Sequence, residues 1–201
     1  MGRQRKTDER LGQILKTAAS LFIKKGYLNT TVRDISAKCN MNVATLYHYI
    51  GAKQKILGLF QEYTTGLLKS FIEENQEVLN SMDPEEALAY AIMRYLEWVD
   101  EYQDITVFWY QETKNLTPKQ FRDLARQEES TIQVFQSLLE RGIKAGKFKP
   151  ADSRLAAHNI IVLCDMWAFQ RWLLRKNYSL KEYIKYQTGL ILSQAKGGCL
   201  S

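Results

Sequence analysis

Cysteine, proline and histidine are scarce in this 201-residue sequence, which contains three, three and two of them. Cys39, Cys164 and Cys199 are odd in number and share no spacing typical of metal ligands, so we expect neither a disulfide framework nor a metal site. The sequence also has no Gly-rich phosphate loop, no His-Glu-x-x-His pair and no Cys-x-x-Cys pair. We therefore expect no enzyme and no cofactor.

Long hydrophobic runs are absent as well. The longest aliphatic run spans only the five residues 160–164, which is far shorter than a membrane-spanning helix requires. The N-terminal "MGRQRKTDER" is not followed by an apolar stretch of the kind found in signal peptides. These observations predict a cytoplasmic protein without a membrane partner.

The positive charge is concentrated at the N-terminus. Residues 1–55 contain 11 basic and 3 acidic residues, a net charge of +8, whereas the remainder of the chain has a net charge of −2. Such an imbalance is typical of an anion-binding module attached to a nearly neutral body. On charge alone, nucleic acid and a merely solvated basic surface are both open.

Apolar residues recur at helical spacing along the whole chain, which predicts an all-α protein of about nine helices. Thr31 is expected to cap the second helix and Asn42 to start the third, while Asn40 and Gly51 supply the turns that end these helices. The predicted helices cover residues 8–25, 31–39, 42–50, about 53–80, 84–101, 104–115, 118–145, 151–175 and 179–195.

The pattern divides into three parts. We predict an N-terminal three-helix domain with a helix-turn-helix over residues 1–52, a C-terminal helical bundle over residues 53–196 for ligand binding and dimerisation, and a flexible tail over residues 197–201. Helices as short as the second and third are marginal in isolation, so they must pack on their neighbours.

The third predicted helix has an outward face. Its apolar positions are used for packing, which leaves Thr45, His48 and Tyr49 at i, i+3 and i+4 on the opposite side. A helix-turn-helix presents such a face to the major groove of DNA, and Thr31, Arg33 and Lys53 on its flanks are suited to contact phosphates. Double-stranded DNA is therefore the predicted partner.

The stretch "TTVRDISAKCNMNVATLYHYIGAKQKIL" resembles the DNA-binding segment of the TetR family of bacterial regulators, over roughly residues 10–58. It departs from the family pattern at Asn40, Ile50 and Ala52, and Ala52 lacks the side chain that would cap the next helix. The resemblance implies DNA contacts by several side chains of this segment. The full predicted set of DNA-binding residues is Thr31, Arg33, Asn42, Ala44, Thr45, Tyr47, His48, Tyr49 and Lys53.

The resemblance also implies a dimer. In this family the last two helices form a four-helix interface, and here the segments 151–175 and 179–195 are unusually apolar. A homodimer would hold two recognition helices about one DNA turn apart, roughly 34–36 Å, and would therefore bind a palindromic operator.

Aromatic residues are frequent in the predicted C-terminal bundle, where they form either ordinary core or the wall of a small-molecule pocket. Asp165 is unusual because it lies within the most apolar run; it must face solvent, pair with a base such as Arg94, or meet a ligand or the other subunit. The predicted ligand-binding residues are Trp98, Tyr102, Phe108, Trp109, Glu112, Asp165, Phe169 and Trp172.

Together these features predict a ligand-responsive transcriptional regulator, expected to be a repressor that a hydrophobic small molecule releases from DNA. The segment from Phe108 to Asp152 is similar in style to TetR-type regulators that sense acyl-CoA thioesters, which would place Arg171 or Arg175 near the CoA phosphates. Two alternatives remain open at this point. One is a regulator of drug efflux that senses aromatic compounds, and the other is an architectural DNA-binding protein without an effector.

Overall fold

The computed structural model describes residues 2–113 and 116–197, and the side chains of residues 9–66, 74–113 and 116–197. Every regular element in these ranges is a helix, as predicted. The predicted tail lies outside the described residues except for Gly197, as do the last two residues of the predicted helix 104–115. The elements are α1 (Gly2–Lys25), α2 (Val32–Lys38), α3 (Val43–Ile50), a 3₁₀ turn (Lys53–Lys55), α4 (Ile56–Ser81), α5 (Pro84–Glu101), α6 (Gln103–Glu112), α7 (Pro118–Lys144), α8 (Ser153–Phe169), α9 (Arg171–Asn177) and α10 (Leu180–Ala195).

Several predicted helix ends are confirmed by their caps. The Thr31 hydroxyl accepts a hydrogen bond from the Asp34 amide, and the Asp34 carboxylate accepts one from the Thr31 amide, which completes a capping box. Asn40 adopts a left-handed conformation with φ of 51°, and Gly51 ends α3 with φ of 67°. Asp83 caps α5, and Pro84 occupies its first turn.

Two predicted boundaries were wrong. The helix expected over 151–175 is broken at Gln170, with α8 before it and α9 after it. The fourth helix does not begin at Lys53, because residues 53–55 form a 3₁₀ turn after Ala52, whose side chain makes no capping hydrogen bond. No proline or glycine lies near Gln170, so the sequence contains no local signal for this break. The residues on either side of it are held by contacts with distant parts of the chain, which are described below.

The contacts divide the chain into two compact units. Unit 1 comprises residues 1–67 and 104–124, and unit 2 comprises residues 68–103 and 125–201. The divisions therefore fall within α4, after the first residue of α6 and within α7 rather than at residue 53, while the predicted functional boundary at residue 53 stays a prediction.

The core of unit 1 is centred on aromatic rings from three helices. The Phe60 ring of α4 lies 4.8 Å from that of Phe108 on α6 and 6.3 Å from that of Phe22 on α1. All three side chains are almost fully buried. α2 packs on both α1 and α3, and it contributes the buried Ile35, while α3 contributes the buried Leu46 and Ile50.

In unit 2, α5 packs against α8 and α10, and α8 also packs on α10 and α9. Polar contacts hold both α8 and α9 at the end of α5: Asp100 accepts hydrogen bonds from the Trp167 indole of α8 at 2.7 Å and from the Arg175 guanidinium of α9. Arg171 of α9 donates to the Gln103 amide oxygen at 3.2 Å. Residues on both sides of the break at Gln170 are therefore fixed by contacts with residues 100 and 103.

Gly142 is expected to be the least replaceable helical glycine of unit 2. A Cβ atom added there would lie 1.9 Å from the buried Phe148 ring, whereas one added at Gly66 of α4 would meet nothing within 4 Å. Gly142→Ala should therefore lower the free energy of unfolding by about 1–3 kcal/mol, and Gly66→Ala should raise it by up to about 1 kcal/mol. Urea unfolding of both variants at one protein concentration checks this, and a neutral Gly142→Ala would contradict the packing of Phe148.

Candidate nucleic-acid interface and effector residues

The helix-turn-helix of α2 and α3 is fixed in place by α1. Arg10 of α1 donates to the Cys39 carbonyl at the end of α2 with an N–O distance of 3.2 Å. Lys25, at the other end of α1, forms a 2.9 Å ion pair with Asp34. Together with the capping hydrogen bond from Thr31, this ion pair holds the pKa of Asp34 well below its usual range. Two of the basic residues that produce the N-terminal charge therefore have structural partners.

α3 presents the predicted outward face. Thr45 and His48 are exposed, Tyr49 is partly exposed, and the rings of His48 and Tyr49 make an edge contact at 6.0 Å. Ala44 is exposed as well. These side chains offer hydrogen-bond donors, acceptors and methyl groups, the chemistry that base edges in a major groove can pair with.

Tyr47 lies at the border between the packed face and the outer face of α3. It is 45% exposed, whereas Leu46 and Ile50 are buried. At 100° per residue, Tyr47 lies at the edge of the apolar stripe. Nearly half of this residue is therefore accessible from outside the protomer.

Two predicted DNA-binding side chains have an additional structural task. Asn42 caps α3, since its side-chain oxygen accepts a hydrogen bond from the Thr45 amide at 2.7 Å. The Thr31 hydroxyl is engaged in the capping box of α2. Arg33, on the first turn of α2, is exposed. Contacts of these three residues with DNA stay predictions.

Lys53 contacts Tyr27, a residue outside the set predicted from the sequence. Its ammonium group lies 3.2 Å from the Leu28 carbonyl oxygen and 4.6 Å from the centre of the Tyr27 ring. The Tyr27 hydroxyl in turn donates to the Lys53 carbonyl at 3.3 Å. Burial and the nearby Glu112 carboxylate raise the pKa of Tyr27. The sequence offered one signal for this contact, namely that an aromatic residue, Tyr27, directly follows Gly26 at the end of the first helix.

The predicted ligand-binding residues fall into both units. Phe108, Trp109 and Glu112 belong to α6 in unit 1, where Phe108 contacts Phe22 and Phe60. The other five belong to unit 2, which brings some of them together: Trp98 stacks on Tyr95 at 5.9 Å and lies 5.4 Å from Tyr102. The residues of the predicted set that lie in unit 2 are Trp98, Tyr102, Asp165, Phe169 and Trp172.

Trp172 of α9 lies on the surface of the protomer, with 67% of it exposed. Phe169, at the end of α8, is partly exposed. Arg171 and Arg175, expected near the phosphates of a CoA ligand, instead contact Gln103 and Asp100 within unit 2. A role of these residues toward a ligand stays a prediction.

Asp165 does not pair with Arg94, which forms an ion pair with Glu97 instead. The Asp165 carboxylate accepts a hydrogen bond from the Tyr95 hydroxyl at 3.2 Å. Burial and, to a smaller extent, the nearby Glu128 carboxylate raise the pKa of Asp165 to about 7, although the hydrogen bond from Tyr95 lowers it. Burial of the Glu128 carboxyl group also raises its pKa, whereas the nearby His158 lowers it. Glu128 as a whole residue is exposed.

This environment predicts a pH-dependent stability. Because the folded-state pKa of Asp165 lies above the ordinary value of 3.8, the folded chain keeps a proton that the unfolded chain releases between about pH 4 and pH 7. The contribution of Asp165 to the free energy of unfolding should therefore fall across this interval as pH rises, by about 4 kcal/mol, and stay constant above it.

Asp165→Asn should remove that slope and should be more stable than the parent chain at pH 8, because the amide keeps an acceptor for Tyr95 without a charge. Urea unfolding at pH 5 and pH 8, at one protein concentration, measures this. Glu77→Gln on an exposed position of α4 is the matched control. Equal pH slopes in the parent chain and in Asp165→Asn would contradict the assignment.

Comparison with known proteins identifies the family. The model of the bacterial regulatory proteins of the tetR family matches residues 14–58, and the model of the tetracyclin repressor-like C-terminal domain matches residues 81–172. The HTH-type transcriptional regulator HbdR of Aromatoleum sp. (strain CIB) is 28% identical over 185 residues, which cover 92% of this chain and 79% of HbdR.

Solved structures show the same fold. AibR in complex with isovaleryl coenzyme A and operator DNA superimposes with a TM-score of 0.71 at 21% identity, covering 90% of this chain and 97% of AibR. FadR from Bacillus subtilis in complex with stearoyl-CoA superimposes with a TM-score of 0.67 at 21% identity, covering 93% of this chain and 98% of FadR. None of the described helices combines the length and the apolar content needed to cross a membrane.

The two family models together cover most of the chain, and the first of them coincides with the helix-turn-helix whose outward face is described above. The chain therefore belongs to the TetR family of bacterial transcriptional regulators, and it is a DNA-binding regulator rather than an enzyme.

Proposed function

We propose that this chain is a ligand-responsive repressor, which binds a palindromic operator as a homodimer and is released by a hydrophobic small molecule. The observation that carries the proposal is the outer face of α3, capped by Asn42 and supported from behind by α1 and α2. Chromosomal DNA as the target places the protein in the cytoplasm.

The proposed contacts with DNA fall into two classes, contacts with bases and contacts with phosphates. Thr45, His48 and Tyr49 face outward on α3, where they would contact base edges and provide sequence preference. Arg33 and Lys53 flank α3 and would contact phosphates, which fix the position of the helix without selecting a sequence. Tyr47 is 45% exposed, and a tyrosine hydroxyl is suited to either role.

The homodimer is supported by the outer surfaces of α8 and α10 in unit 2. Leu155 and Val162 on α8 are 58% and 43% exposed, and Tyr186 on α10 is 71% exposed. Gly189, one turn after Tyr186, has no heavy atom within 4 Å of a Cβ built on it, so another helix could approach closely there. An apolar surface of this kind is typical of a contact between subunits.

An acyl-CoA thioester is the effector class that we favour. AibR and FadR, which share the fold of this chain, are described in complex with isovaleryl coenzyme A and with stearoyl-CoA. Within unit 1, the aromatic side chains of α4 and α6 provide apolar surface suited to an acyl group. A hundredfold preference of the ligand for the released state would be enough to shift the equilibrium by about 2.7 kcal/mol.

Variants in the helix-turn-helix test the two classes of contact. Lys53→Ala should weaken binding to the selected operator and to scrambled DNA alike. It should also reduce the slope of log binding constant against log salt concentration by about one, because one phosphate contact is lost. Thr45→Val should act on sequence preference, with a loss of about 1–3 kcal/mol confined to one base pair of each half-site. Fluorescence anisotropy with operator fragments selected from genomic DNA measures both effects.

The matched control for Lys53→Ala is Lys144→Ala, which removes the same charge from an exposed position of α7 in unit 2. It should leave operator affinity unchanged. Identical losses on all DNA for Thr45→Val and Lys53→Ala would contradict the separate roles.

The effector class is tested by release of the protein from its operator. Isovaleryl-, stearoyl- and benzoyl-CoA should each be compared with free CoA and with the corresponding free acid, and at least one thioester is expected to release the DNA where its acid and CoA do not. Release by an aromatic dye such as rhodamine 6G alone would instead favour the efflux alternative. If no compound releases the DNA, the architectural alternative gains support.

A further inference from the structure

We propose that the effector site includes two N–H donors, the Trp109 indole on α6 and the Gln61 side-chain amide on α4, which bind a neutral carbonyl oxygen of the ligand, as in a thioester. This inference rests on the proposed function and adds the ligand group that is recognised and the residues that recognise it. Gln61 was absent from the residues predicted from the sequence.

Both donors are buried without an acceptor. Trp109 is 7% exposed and Gln61 is 8% exposed. The Trp109 Nε1 and Gln61 Nε2 atoms are inaccessible to solvent, and no hydrogen-bond acceptor for either lies within reach among the side chains and backbone that the structure describes. Because buried N–H groups are almost always paired, two such atoms in one compact unit indicate that a partner from outside the chain completes them.

The two donors belong to one packed cluster of unit 1. Phe60, which precedes Gln61 on α4, has its ring 6.3 Å from the Trp109 ring in an edge arrangement. Phe60 also lies 4.8 Å from Phe108, which precedes Trp109 on α6. Gln61 and Trp109 therefore each follow, in sequence, one of the two phenylalanines that pack α4 against α6.

The surroundings determine which acceptor fits. The buried Thr64, one turn after Gln61, directs its hydroxyl to the Phe60 carbonyl at 3.0 Å, so that this hydroxyl already has an acceptor within the helix. The rings of Phe60 and Phe108, which precede the two donors in sequence, are apolar and almost fully buried. A carboxylate or phosphate would be poorly solvated there, whereas a neutral carbonyl would accept both N–H groups without a charge.

A ligand bound in this way would act directly on the unit that contains α3. Gln61 lies five residues after the start of α4, and the adjacent Phe60 packs on Phe22 of α1. A carbonyl oxygen shared by Trp109 and Gln61 would link α4 to α6, both of which contact α1 through aromatic rings. Effector binding would thereby favour one arrangement of the helices that support the recognition helix.

The test compares a thioester with its carbonyl-free analogue. Isovaleryl-, stearoyl- and benzoyl-CoA are each paired with the S-alkyl-CoA thioether of the same carbon skeleton, in which CH2 replaces C=O. Isothermal titration calorimetry on the full chain measures both affinities, and operator release is followed in parallel. The parent chain should bind the preferred thioester at least tenfold more tightly than its thioether.

Trp109→Phe keeps an aromatic ring but removes the N–H, and Gln61→Met removes the amide at similar length. Each variant should weaken thioester binding about tenfold and leave thioether binding nearly unchanged. The matched control is Gln187→Met on α10 in unit 2, because Gln187 is 8% exposed, as Gln61 is, and is replaced by the same residue. That control should preserve the preference for the thioester.

Three outcomes would overturn the inference. They are equal affinity of the parent chain for thioester and thioether, equal weakening of both ligands by Trp109→Phe and Gln61→Met, and loss of the preference in Gln187→Met instead. The first two leave the proposed function intact if the thioester still releases the operator. If no thioester binds, the proposed effector class fails together with this inference.

Discussion

The packing of Phe60 against Phe22 and Phe108 is the interaction on which the rest of unit 1 depends. It joins α1, α4 and α6 through rings that are almost fully buried. α2 and α3 have only seven and eight residues, so their helical state relies on burial against neighbours rather than on intrinsic propensity. The face of α3 proposed to contact DNA therefore has a defined orientation only because α1 is itself fixed by this aromatic contact.

Polar contacts refine that arrangement and use part of the N-terminal positive charge. Arg10 fixes the end of α2, and Lys25 pairs with Asp34. The net charge of +8 in residues 1–55 consequently overstates the number of cations directed at phosphates. Lys53 is a different case, because its contacts with the Leu28 carbonyl and the Tyr27 ring orient an ammonium group that keeps its charge. A lysine oriented in this way loses less conformational freedom when it binds an anion, which suits Lys53 to its proposed role.

Local chemistry explains which parts of the structure could be predicted from the sequence. The cap at Thr31, the left-handed turn at Asn40 and the end of α3 at Gly51 each follow from properties of a single residue and its close neighbours. The break at Gln170 could not be predicted, because it depends on Asp100, about 70 residues earlier in the chain, which accepts hydrogen bonds from Trp167 and Arg175. The same limit applies to Asp165, whose partner is Tyr95 rather than Arg94. Gln61 could have been identified in part. A polar residue one turn after Leu57, on the buried side of α4, is visible in the sequence. Its proposed role becomes apparent only when the structure brings α4 together with Trp109 of α6.

The proposed effector contact and the proposed operator contact lie in the same compact unit, connected through α4, α6 and α1. Hydrogen–deuterium exchange of the full chain, with and without an acyl-CoA that releases the operator, is the decisive measurement. We expect the ligand to change exchange in α4 over residues 56–66, in α6 and in α3. Changes confined to residues 74–103 and 125–197, with those of α3, α4 and α6 unaltered, would contradict it.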